Sequence, residues 1–174
     1  MIRRCQDVEF GTVGAIINDS AQAYRGVIPE DCWTDPYMSQ DKLQDEISQG
    51  VQFWGYEETN KLVAVMGTQS LQGITLIRHA YVSTARRNCG IGGQMLSFLQ
   101  GTIDQPLLIG TWADAVWAID FYKKYGFQQV PQQEKNRLLK QYWTISDRQI
   151  ETSVVLADKK WLNSAPVKRS QEGT

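Results

Sequence analysis

Apolar side chains at Val13, Ile16, Ile17, Ala21 and Tyr24 recur every three or four residues, which places them, with Ser20, on one face of a helix. Asp7 stands where it can cap that helix, and residues 1–5 before it read as a short strand. Pro29 and Pro36 break the next stretch into a loop, after which Ser39 starts a second helix with Leu43 and Ile47 inside. The pattern then changes to strand runs at 51–57, 62–71 and 74–82, joined by Glu58-Thr-Asn-Lys and by Gln72-Gly73, both good hairpin turns. These three predict an antiparallel meander. Helix and strand alternate afterwards: a helix from about Gly90 to Thr102, a strand at 106–112, a helix from about Ala115 to Tyr125, and late strands near 138–145 and 150–156.

Composition narrows the class. A chain of 174 residues, 42% hydrophobic and 10% aromatic, can build one core without metals or disulfides. Its 18 basic and 19 acidic residues leave a net charge of -1, which gives no general footprint for nucleic acid or an anionic membrane. Cys5, Cys32 and Cys89 are odd in number and lack the short paired spacing of zinc or redox motifs, so free thiols, a reducing compartment and no metal site are expected. The opening Met1-Ile-Arg-Arg-Cys-Gln-Asp lacks a signal peptide's apolar run, and no window approaches the roughly 18 apolar residues of a membrane span. A cytoplasmic location follows as an expectation. From Asn163 onward the chain is polar and charged, so the domain is taken as 1–160 with a polar tail at 161–174.

Chemistry concentrates in Ala80-Tyr-Val-Ser-Thr-Ala-Arg-Arg-Asn-Cys-Gly-Ile-Gly-Gly-Gln-Met-Leu: a strand end, a basic loop, three glycines, then a helix with Leu96, Leu99 and Ile103 inward. Gly90, Gly92 and Gly93 lack the Cβ that would block close approach, so successive backbone N–H groups can turn toward an anion. The helix they open adds unpaired N–H groups and a positive macrodipole end, while Arg86 and Arg87 supply full charge. Tight packing of helix on sheet would use the same glycines. Walker A needs Gly-Lys-Ser/Thr and the Rossmann fingerprint needs Gly-x-Gly-x-x-Gly; Gly-Ile-Gly-Gly-Gln-Met fits neither.

Arg87-Asn88-Cys89-Gly90-Ile91-Gly92, directly after Tyr81-Val82, resembles the GNAT superfamily signature Gln/Arg-x-x-Gly-x-Gly/Ala. Trp117-Ala-Ile-Asp-Phe-Tyr-Lys-Lys-Tyr-Gly-Phe127 is similar to that superfamily's second signature, and the element order over about residues 1–156 agrees. The resemblance implies an α/β (α+β) fold in one domain. Its mixed, mostly antiparallel, twisted sheet would have about seven strands flanked by about four helices. It also implies acetyl-CoA as co-substrate, with pantetheine pairing to the main chain of Ala80, Tyr81 and Val82. The backbone of Arg87, Asn88, Cys89, Gly90, Ile91 and Gly92 would hold the pyrophosphate, with Gly93 close by and Arg86 screening the remaining charge. Cys89 merely lines that loop.

By the same resemblance Tyr122 stands where many members place a general acid. A phenol can protonate the departing CoA thiolate, the two differing by about 1.5 pKa units on side-chain values. The alternative is that Ala115, Ala118, Ile119 and Tyr122 form only a buried helix face. Ala115 departs from the family's usual asparagine; Asp114 reads as a helix cap, and Thr111 or a water could replace the missing amide. His79, the sole histidine, lies on the cleft-lining strand, and an imidazole titrating at about 6.5 suits proton uptake from an amine. Packing is its competing role, and Glu57 and Glu58 are weaker candidates for the base. Trp33, Tyr37, Trp54, Trp112 and Trp117 could line an acceptor pocket or pack the core. The activity implied is direct acetyl transfer to an unidentified amine, with an acyl-CoA-binding sensor as the alternative and homodimer pairing through the late strands left open.

Overall fold

The strand runs and hairpin turns read over residues 51–82 are realised in the computed structural model, which describes residues 1–164. Among the described residues seven strands form: β1 (Ile2–Arg4), β2 (Gln52–Glu58), β3 (Lys61–Leu71), β4 (Ile74–Val82), β5 (Leu107–Trp112), β6 (Gln128–Gln129) and β7 (Ser153–Ala157). Their hydrogen-bonded order is β1-β2-β3-β4-β5-β7-β6, the seven-stranded mixed sheet of the expected fold class. By chain contacts the protein divides into two compact units, residues 1–70 with 77–102, and residues 71–76 with those from 103 on.

In the first unit β2 lies antiparallel to both neighbours, with Arg4 opposite Trp54 and Phe53 opposite Gly67. The β2–β3 turn places Thr59 and Asn60 at φ 47° and 61°, the pair of left-handed residues that a type I′ hairpin requires. Helices α1 (Phe10–Ala21) and α2 (Gln40–Ser48) bury Val13, Ile16, Ile17 and Leu43 against Val51, Phe53 and Val65. Each such side chain contributes about 1.5–3 kcal/mol relative to exposure. Ser39 caps α2 as predicted, its Oγ accepting Lys42 N–H at 3.1 Å.

The entry to α1 differs from the expected Asp7 cap. Asp7–Glu9 forms a 3-10 turn, and the Glu9 carboxylate accepts Gln6 N–H at 2.7 Å while Arg3 grips it at 2.9 and 2.8 Å. The charge-assisted bond from Arg3, then that from Gln6, holds the Glu9 carboxyl at about 2, below its ordinary 4.5. A depressed carboxyl adds stability above its unfolded pKa and loses it as pH falls through the folded one. Arg3→Ala should therefore lower stability at neutral pH by less than about 1 kcal/mol, a surface-pair value. The gap should close between pH 4.5 and about 2, as urea melts across that range will read.

In the second unit β7 lies antiparallel to both β5 and β6, with Ile109 opposite Leu156 and Gln128 opposite Ala157. The sequence expectation is corrected here. Residues 138–145 are no strand: α5 (Gln132–Tyr142) occupies most of them, following α4 (Val116–Lys124) and the two-residue β6. Residues 150–156 divide between α6 (Asp147–Glu151) and β7. Gln132–Tyr142 is built largely of helix-favouring residues, and Lys135, Leu138 and Leu139 form its inner face. Lys135 is buried because its ammonium donates to the Ile150 carbonyl at 2.7 Å, at the carbonyl end of α6. Leu138 and Leu139 pack with Ile74, Leu76, Leu108 and Val155.

With α3 (Ile91–Thr102) and α7 (Lys159–Ser164), seven α-helices stand among the described residues where about four were expected. The added ones, α5, α6 and α7, lie toward the C-terminus. Helix α7 crosses the expected 160/161 boundary, and residues 165–174 of the expected polar tail lie outside the described residues. None of the described helices is long and apolar enough to cross a membrane.

Candidate functional site

The loop after β4 tightens into a 3-10 turn at Thr84–Arg86, then passes through Asn88 at φ 60° and Gly90 at φ 76° before α3 begins. Glycine and asparagine are the residues that enter this left-handed region at least cost. The first helical bond runs from Gln94 N–H to Gly90 O at 3.1 Å, so the N–H groups of Ile91, Gly92 and Gly93 have no carbonyl one turn behind them. Buried Ile91, Gly93, Met95, Leu96 and Leu99 seat the helix. The result is a fixed set of N–H donors at the positive end of a dipole.

Side chains around the loop are more committed than the sequence implies. Arg86 donates to Glu58 at 2.7 Å, and its Nε is buried without a hydrogen-bond partner among the described residues. Arg87 donates to the Ser20 carbonyl at 3.0 Å. The C-terminal end of α1 also pins the strand exit, because Ser20 Oγ donates to Val82 O at 2.6 Å and Asp19 accepts Thr84 N–H at 2.7 Å. One of the main-chain groups expected to meet pantetheine, Val82 O, thus already has one partner and keeps a second lone pair. Cys89 is exposed, with Sγ 3.5 Å from Arg87 O.

Upstream on β4, His79 has φ 53°, a left-handed conformation that costs a non-glycine residue on the order of 1–3 kcal/mol and persists only where its surroundings impose it. Those surroundings are specific. The imidazole neighbours the Phe53 ring, with centroids 6.1 Å apart and planes at 27°, and the Tyr81 ring at 6.5 Å and 23°. Its Nε2 makes a short contact with the carboxylate of Glu46 on α2, which Arg78 also approaches at 3.5 Å. Neighbouring residues of a regular strand point to opposite faces, yet Arg78 and His79 both reach Glu46. Burial alone would push the Glu46 carboxyl up; the His79 hydrogen bond, with the charges of Arg78 and Lys42, helps to outweigh it, and the group is held below its usual value.

Sequence reasoning missed Glu46 and Arg78. The available signal was an acidic residue three positions after Leu43, on the inner face of α2. The weaker base candidates are engaged elsewhere, Glu57 by Arg3 at 2.5 Å and Glu58 by Arg86. Of the aromatic residues, Trp33 and Tyr37 join a cluster with Tyr24 and Tyr81, in which Arg25 lies over Trp33 and Lys42 over Tyr37. Trp54 stands apart from it, edge-on to Phe98 and beneath Arg4.

Tyr122 belongs to the second unit, on α4, buried and edge-on to Phe121 at 5.2 Å and Phe127 at 5.9 Å. Ala115 is fully buried and is itself the N-cap residue of α4, with no side-chain cap bond, so the expected Asp114 side-chain cap is not formed. Asp114 contributes its carbonyl instead, accepting Val116 N–H at 3.0 Å. Thr111 and Trp112 sit on β5 opposite Val154 and Ser153, and Trp117 is exposed.

No curated protein matches the chain by sequence. Solved structures do match in fold. The PaiA N-acetyltransferase of Thermoplasma acidophilum, solved in complex with coenzyme A, aligns with TM-score 0.67 at 15% identity, covering 91% of this chain and 97% of that one. A GNAT-family acetyltransferase of Staphylococcus aureus aligns with TM-score 0.66 at 16% identity over the same shares. A ribosomal-protein-alanine N-acetyltransferase of Brucella melitensis gives 0.60 at 16%, covering 90% of this chain and 97% of that one. The family model for the acetyltransferase (GNAT) domain matches residues 16–140, a span that holds both the glycine loop after β4 and the α4 helix with Tyr122, and the chain therefore belongs to the GNAT acetyltransferases.

Proposed function

We propose that this protein transfers an acetyl group from acetyl-CoA to a primary amine by direct attack in a ternary complex. The observation that carries the reading is the strand, left-handed loop and helix start at residues 80–93, whose free N–H groups suit a pyrophosphate. Ala80, Tyr81 and Val82 supply main chain for pantetheine; Arg87 to Gly93 supply the phosphate-facing backbone. Arg86 supplies positive charge once phosphate competes with Glu58 for it. The amine nitrogen attacks the thioester carbonyl carbon, the carbon–sulfur bond breaks, and Tyr122 gives its phenolic proton to the departing thiolate. His79 takes the proton the amine must lose. Trp33, Tyr37, Tyr24 and Tyr81 offer the acceptor an aromatic surface.

An amine-panel assay that detects free CoA tests donor chemistry and acceptor class together. At least one amine should release CoA at a rate well above hydrolysis, and acetyl-CoA, unlike ATP or NAD, should raise the melting temperature by binding the native state. Tyr122→Phe should lower kcat by about 100-fold, in the range of lost acid catalysis, with little change in acetyl-CoA affinity. An unchanged kcat would remove Tyr122 from the chemistry. Acetyl-CoA binding without CoA release from any amine would leave an acyl-CoA-binding module.

A further inference from the structure

Resting on the reading of His79 as the proton acceptor, the geometry around it assigns a role to a residue outside both family signatures. We propose that Glu46 is the positioning residue for His79: its carboxylate accepts the Nε2–H, fixing the neutral imidazole in that tautomer and leaving the Nδ1 lone pair to take the amine's proton.

Three observations converge on this arrangement. Glu46 is buried on α2 and shares its carboxylate between His79 Nε2 and Arg78, so it is held in place by two partners from the same strand. An ionised carboxylate only accepts hydrogen bonds, so the imidazole nitrogen facing it must be the donor. The ring has Phe53 and Tyr81 as aromatic neighbours at 6.1 and 6.5 Å, and the backbone beneath it adopts φ 53° in mid-strand. Without that left-handed residue, Arg78 and His79 would project to opposite faces and could not both meet Glu46. A strained backbone, a ring tied through Nε2 and a buried counter-charge make a pre-organised base.

Two protons leave the acceptor nitrogen. The acceptor enters as an ammonium and gives the first to Nδ1; the imidazole becomes imidazolium, and Glu46 supplies the opposing charge without itself taking the proton. The neutral amine then attacks, and the second proton, lost as the tetrahedral adduct collapses, makes up for the one that Tyr122 gives to the departing thiolate. Glu46 thus acts through His79 and does not touch the reacting atoms.

Because His79 is the sole histidine in the sequence, its ring nitrogens give an unambiguous spectrum in uniformly nitrogen-15-labelled protein. Long-range proton–nitrogen correlation at alkaline pH should show one neutral tautomer, protonated at Nε2. In Glu46→Gln the carboxamide can donate as well as accept, so the tautomers should mix, and kcat should fall by about 10- to 100-fold, a general-base-sized loss, with the acetyl-CoA KM unchanged. Glu46→Asp, which keeps the charge, should recover the tautomer and part of kcat. An Nδ1–H tautomer in the wild-type protein overturns the proposal even if Glu46→Gln fails to fold. A His79→Gln variant separates the two readings. Wild-type turnover in His79→Gln removes the base on which the proposal rests. Slow His79→Gln beside a Glu46→Gln with wild-type kcat and an intact tautomer removes Glu46 alone.

Discussion

Gly92→Glu is expected to weaken acetyl-CoA binding by at least about 100-fold, equivalent to about 2.7 kcal/mol, while leaving the unliganded fold as stable as before or slightly more so. Gly92 lies in the first turn of α3, beside the N–H groups proposed to face the pyrophosphate. A glutamate there fills the approach and sets a negative charge against the phosphates. The same charge suits a helix N-terminus, worth about 0.3–1 kcal/mol, and replacing glycine relieves a helix penalty of about 0.5–1 kcal/mol. Stability and affinity should therefore move in opposite directions, which general misfolding cannot mimic. Differential scanning fluorimetry reads both at once. Acetyl-CoA at 100 times its wild-type Kd should stabilise the parent by about 2.7 kcal/mol and the variant by about 0.4 kcal/mol at most. An undiminished ligand shift in Gly92→Glu would mean that the loop does not hold the cofactor.

Gly67→Ala should destabilise the protein by about 1–3 kcal/mol, the usual cost of overpacking, although it adds one methyl group. A Cβ at Gly67 would lie 2.9 Å from the Arg78 carbonyl oxygen and 3.2 Å from both Phe53 and Val51. The first of these is backbone, so no side-chain rotation relieves it and the strand itself must shift. That strand carries Arg78 and His79, and Phe53 is one of the rings holding His79. Turnover should fall by more than the loss of folded protein explains, with acetyl-CoA affinity retained. Gly11→Ala is the control: its Cβ meets nothing within 4 Å in α1, and it should stabilise by about 0.5–1 kcal/mol. Urea unfolding of the pair reads the contrast, and equal stabilities would show that the β3–β4 contact yields easily.

The early elements were legible because most of their buried positions are apolar. Val13, Ile16 and Ile17 mark α1, and apolar runs bounded by hairpin turns mark the strands up to Val82. The region after Phe127 misled for a definite reason. The inner face of α5 includes Lys135, whose charge is tolerated only because Ile150 O receives it, so the helical stripe looks interrupted and Leu138 to Ile145 resembles a strand. Strand β6 carries two exposed glutamines and no apolar signal; its pairing to Ala157 and Leu156 defines it. Glu46 escaped notice in the same way as Lys135. A charge on an inner helix face reads as an error until its partner is seen.

By itself the sequence determined the loop at 87–93, the α4 signature and, through them, the GNAT family, because such motifs depend on neighbours in the chain. A left-handed Gly90 and the free N–H groups of the first turn of α3 follow from residue type and position alone. Only the tertiary structure decided which charges meet: Glu46 with His79 across 33 positions and Glu58 with Arg86 across 28. It likewise decided that Trp33 and Tyr37 gather on Tyr81 while Trp54 packs elsewhere. Burying a charge or gathering aromatic rings depends on contacts that exist only once distant segments have packed, and no local pattern encodes them.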